Sequence, residues 1–181
     1  MTEKILTFAL ISIFSASLLF AADQDPSKPK PEDQKFLDNI VSILEALDGK
    51  FEYKEEGPFL KTKTGFKRAG VTVFSGDDSA FVHLGNIIDK YPDTAHKVIT
   101  TLVDCIDSVK PTRATYKDKP VSLGIMCYEA LRNICYYEAT DKEGSITTWE
   151  GIVLPGATRG DLGAAKKAWE KIVKERSYIL L

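Results

Sequence analysis

Residues 122–137 read SLGIMCYEALRNICYY, and this stretch decides the expected fold class. Leu123, Cys127, Ala130, Leu131 and Ile134 recur at the three- and four-residue intervals that put apolar side chains on one face of an α-helix. Ser122 stands where a helix needs a capping oxygen. The reading is a helix from Ser122 to about Tyr137, packing that stripe inward. On the opposite face Tyr128, Arg132 and Tyr136 follow one another at every fourth position and stack along the helix. Tyr and Arg couple large contact area to a polar handle, which is why they concentrate at binding hot spots. These three are therefore the candidate binding residues, with Tyr137 and Trp149 as extensions if the following loop folds back.

The same periodicity extends outward in both directions. Phe36, Ile40, Ile43, Leu44 and Leu47 predict a first helix over 35–47, stopped by Asp48-Gly49. Asp78 or Ser79 opens a second, with Phe81, Leu84 and Ile88 inward and Tyr91-Pro92 at its end. A third runs from Asp93 or Thr94 to about Val109 on Ala95, Ile99, Leu102 and Ile106. The last, from Thr158 to about Arg176, buries Leu162, Ala165, Trp169, Ile172 and Val173, with Thr158 and Asp161 forming a capping box. Phe51 to Phe74 predicts one or two short strands, and Pro111 to Pro120 a small hairpin around Lys117-Asp118-Lys119. Asp141 to Gly156 reads as a long loop. The expected fold is mainly α: about five helices in one compact domain with one or two short β-hairpins. Leu84-Gly85 and Leu123-Gly124 sit near two helix starts, 39 residues apart, which makes a short HEAT-like helical stack the alternative.

The N-terminus has a different character. Lys4 precedes an apolar run from Ile5 to Phe20, then Ala21, Ala22 and a polar stretch. The run is shorter than the ~20 residues of a bilayer span, and its order of charge, apolar run and small residues is that of a signal peptide. The expected division is signal peptide over 1–22, Pro-rich linker over 23–34 and a single helical domain over 35–181. The linker, DQDPSKPKPEDQ, offers no side chain that could pack a core.

The segment PTRATYKDKPVSLGIMCYEALRNICYYEATDKEG, followed by LGAAKKAWEKI, resembles the C-terminal part of an uncharacterised family of small exported bacterial proteins. The resemblance covers roughly the C-terminal third. It implies a bacterial, extracytoplasmic setting and carries over no functional residue.

An exported chain meets oxidising conditions, which gives its three cysteines meaning. Cys127 and Cys135, eight residues apart on one predicted helix, would be separated by about 12 Å, too far for a bridge. Cys105 near the end of the third helix and Cys127 near the start of the fourth come level if those helices form an antiparallel hairpin. A Cys105–Cys127 disulfide is expected, with Cys135 free.

Chemistry-bearing motifs are sparse. Twenty-four Lys plus Arg against 26 Asp plus Glu give a net charge of −2, which argues against a nucleic-acid surface. The one basic run is Lys61, Lys63, Lys67 and Arg68. His83 and His96, the only imidazoles, stand at no metal-ligand spacing, so neither metal nor cofactor is expected. Asp77-Asp78, Glu55-Glu56 and Asp104/Asp107 are carboxylate pairs whose use in hydrolysis depends on distances in the fold. The expectation is a non-catalytic exported protein-binding domain of the bacterial cell envelope, engaging another envelope protein through the fourth-helix face. Its rivals are an exported hydrolase built on Asp77, Asp78 and His83, and a structural helical scaffold.

Overall fold

The computed structural model describes residues 25, 27–54, 59–62, 65–68, 71–137 and 151–181. The apolar N-terminal run, Glu55-Glu56 and Trp149 lie outside them. The described chain is a mixed α/β fold, and this corrects both helical readings. Six helices accompany a four-stranded sheet and two small two-stranded sheets.

The four-stranded sheet is ordered β4-β1-β5-β6, from Gly49–Lys54 (β1), Val71–Gly76 (β4), Pro111–Tyr116 (β5) and Lys119–Ser122 (β6). β1 pairs antiparallel with β4 and parallel with β5, where Lys50 faces Thr115 and Phe51 faces Tyr116. Such a strand has to alternate, and β1 does: Lys50, Glu52 and Lys54 are exposed while Phe51 is buried and Tyr53 half-buried. The alternation is only six residues long, and its parallel partner lies 65 positions away, so no local turn announces it. Phe59–Thr62 (β2) and Gly65–Arg68 (β3) form a separate hairpin, so Lys61, Lys67 and Arg68 stand on strands and Lys63 falls outside the described residues.

Pro31–Asp38 (α1) and Ile40–Ala46 (α2) replace the single first helix, breaking at Asn39. α1 begins inside the stretch read as linker, because Pro31 is its first residue, where a missing N–H costs nothing. Ser79–Lys90 (α3), Ala95–Cys105 (α4), Leu123–Arg132 (α5) and Arg159–Glu175 (α6) bury the expected stripes. The capping box is present: Thr158 Oγ1 accepts from Asp161 N at 3.3 Å and Asp161 Oδ2 accepts from Thr158 N at 2.8 Å. Among the described residues no helix is long and apolar enough to cross a membrane.

α5 is the centre of the molecule. Eight of its ten residues are buried, including Glu129, and it packs on α2 and α4. It stops at Arg132 rather than Tyr137. Cys135–Tyr137 (β7) then pairs antiparallel with Tyr178–Leu180 (β8). Cys105 and Cys127 are disulfide-bonded, with Cα atoms 6.0 Å apart, joining the end of α4 to the middle of α5. Cys135 is the one free cysteine, buried at the start of β7 rather than on a helix.

Candidate functional site

The structure takes Tyr136 off the helix face that Tyr128 and Arg132, one turn apart on α5, still share. Tyr136 is on β7, opposite Ile179, and well exposed. Arg132 is exposed at the end of α5 and pairs with Glu129 at 3.5 Å. Tyr128 points into the protein, where burial pushes its phenol up to about 12, against the pull of Arg132 and of a backbone hydrogen bond with Val153. A helix that is apolar on nearly every side has no free face to offer a partner. Tyr128 instead reaches the 151–157 segment through its hydrogen bond with the Val153 backbone.

The hydrolase candidates do not converge. Asp77, exposed, caps α3 by accepting from Ser79 N at 3.1 Å, and these bonds hold its carboxyl below the usual range. Asp78, expected as that cap, makes no side-chain cap bond. His83 faces α1, edge-on to Phe36 with Nε2 3.7 Å from Asp33 Oδ1. Asp107 accepts from Lys166 at 3.0 Å, tying α4 to α6, and the Asp104 main chain takes a second bond from the same ammonium. His96 Nδ1 lies 3.0 Å from the Tyr178 hydroxyl, in a polar contact between α4 and β8. Among the described residues no three His, Cys, Asp or Glu side chains are placed to hold a metal ion.

What the fold does build is a cleft. Its larger part, about 630 Å³, lies between Tyr53, the β5–β6 turn, the 151–157 segment and α6. Ile152, Leu154, Ala164 and Ala165 contribute its apolar lining. A second part, about 460 Å³, is lined by Val121, Ile125 and Leu162 together with Lys117, Lys119 and Arg159. Tyr116, Lys117, Pro155, Gly156 and Ala157 line both, so the two parts meet at the turn.

Each wall has an identifiable cause. Trp169 Nε1 donates to the Gly151 carbonyl at 2.8 Å, and Tyr137 packs edge-on against the Trp169 ring at 5.3 Å. Gly151 has φ +81°, a conformation suited to glycine, and a Cβ there would come within 3.2 Å of the indole nitrogen. Ala157 N closes a tight turn onto Leu154 O at 2.9 Å. The opposite wall is the two-residue turn between Tyr116 and Lys119, with Lys117 at φ +50° and Asp118 at φ +61°. Both values are left-handed, the geometry of the hairpin turn that normally takes Asn-Gly.

The sequence marked this hairpin by its position but not as a site, because Lys-Asp carries no left-handed signature. The segment 151–157 offered only Gly and Pro as loop signals. No family model, curated protein or solved structure matches the chain.

Proposed function

We propose that the chain is a non-catalytic binding protein of an oxidising, extracytoplasmic compartment, and that the joined cleft is where it binds. One observation carries the reading: a concavity of about 630 Å³, sharing five lining residues with a second of about 460 Å³, has walls that hydrogen bonds and ring packing hold in place. Cavities of this size, mostly apolar with a few placed polar groups, are where proteins take small ligands. Of the hydrolase reading's residues, Asp77 is meanwhile engaged in capping α3 and His83 against Asp33 and Phe36, and neither converges with Asp78 on a common site. The Cys105–Cys127 bridge suits an oxidising environment, as does the signal-like N-terminus. Titration with the uncharged fluorophore N-phenyl-1-naphthylamine tests the cleft. Saturable one-to-one binding is expected for the native protein and its loss for Ala164→Trp, which fills the larger part from an exposed position. Equal binding by both proteins removes the reading.

A second reading, attachment to another envelope protein, is favoured by Tyr136 and Ile179. They are cross-strand partners on β7–β8, 45% and 39% exposed. If crosslinking captures a partner with the native protein and captures it equally with Tyr136→Asp, that surface is not the contact.

A further inference from the structure

The geometry points to a small amphipathic anion as the occupant of this cleft. Its apolar body lies between Ile152, Leu154 and Ala164, and its anionic head among Lys117, Lys119 and Arg159. The inference rests on the cleft being the binding site and adds the chemistry of what it takes.

Charge is divided between the two parts. The smaller is lined by three cations and by no carboxylate. The larger holds Asp161, whose carboxylate is already engaged by Thr158 N at 2.8 Å and Thr158 Oγ1 at 2.7 Å. Among the described residues, Lys117, Lys119 and Arg159 have no ion-pair partner, although Lys110 and Lys166 at other surface positions do. Three unpaired cations beside one apolar concavity match a ligand with a negative end and an apolar end. They repel one with a positive end.

The turn supplies a separate argument. Lys117 sits where the two parts of the cleft meet, in a backbone conformation that favours asparagine or glycine. Its ammonium lies 5.2 Å from the centre of the Tyr116 ring, which also lines both parts. Strained conformations of this kind concentrate where a side chain is needed in one place. Here the side chain so placed is a cation held over Tyr116 at the junction of the two parts of the cleft.

Calorimetry with three ligands sharing one decyl chain tests the proposal, each used below its micelle-forming concentration. They are decanoate, decyltrimethylammonium and uncharged decyl glucoside. Decanoate is expected to bind about tenfold more tightly than either of the others. Equal affinity for all three overturns the anionic head while leaving the cleft intact. Binding of none overturns the cleft as well. The double variant Lys117→Asn, Asp118→Gly relieves the turn and deletes the cation. It is expected to melt at a higher temperature, bind decanoate about tenfold more weakly and hold the glucoside unchanged. Undiminished decanoate affinity in that variant overturns the role of Lys117.

Discussion

The indole nitrogen of Trp169 donates to the carbonyl oxygen of Gly151, and this bond holds one wall of the cleft against α6. Trp169→Phe keeps an aromatic ring but leaves the buried Gly151 carbonyl without its donor. A loss of about 1–3 kcal/mol in denaturant unfolding is expected. Gly151→Ala forces a side chain onto a left-handed residue and into the indole, for a loss of about 1–2 kcal/mol. Both variants should weaken binding of the neutral fluorophore. Either one retaining full stability would show that the contact does not hold the segment.

Thiol counting checks the disulfide. Denatured without reductant, each chain should show one reactive thiol, Cys135. In the native state none should react, since Cys135 is buried and burial pushes its thiol up to about 12. Removing the bridge as Cys105→Ala, Cys127→Ala, which frees a loop of sequence separation 22, should cost about 3 kcal/mol on the chain-entropy model.

Two glycines that look equivalent in sequence should respond in opposite directions. A Cβ on Gly124 would collide with the carbonyl of Ile106 and lie 3.0 Å from that of Ser108. Gly124→Ala should therefore destabilise by about 3 kcal/mol, the cost of overpacking against backbone. Gly85 on α3 has nothing within 4 Å, and Gly85→Ala should gain about 0.5–1 kcal/mol from helix propensity alone. Melting curves of the two variants shifted in the same direction would refute the comparison. The Leu-Gly pairs that suggested a repeat thus serve unrelated ends.

Glu129 makes stability depend on pH. Burial raises its carboxyl above the usual 4.5, with Arg132 and Asn133 opposing. A folded value above the unfolded one means the contribution is fully present below about pH 4.5 and is lost as pH rises through the folded value. Glu129→Gln should remove that decline and raise the melting temperature at pH 7. Melting temperatures measured from pH 4 to 8 read this directly, and parallel curves for variant and native protein would end it.

The helical stripes were legible because three or four turns of 3.6-residue periodicity leave a long signal. Leu84, Ile99, Leu102 and Trp169 are all buried as read. The capping box and the hairpin at Lys117 were legible through local chemistry. The sheet was not, because β1 alternates for six residues and gains its parallel partner from a distant strand. Helix α5 was read too long for a related reason: Ile134 and Cys135 continue the apolar period, and both are buried, but in a turn and a strand. That overshoot carried Tyr136 onto a face it does not share with Tyr128. The cleft was invisible because its walls meet only through tertiary contacts, and its turn departs from the residues such turns prefer.

The parallel pairing of β1 with β5 also makes part of the cleft depend on a long-range contact. The β5–β6 hairpin closes over two residues, and the disulfide-linked helices α4 and α5 are close neighbours in sequence, so both can form early. β1 meets β5 only by closing a loop of 65 residues, which costs more entropy than either of those closures. Phe51 and Tyr116 face each other across that contact, so the Tyr116 wall of the cleft is braced by a strand distant in sequence. A ligand that recognises the completed cleft binds only the fully assembled chain and shifts the folding equilibrium towards it, so that occupancy and the β1–β5 pairing reinforce each other.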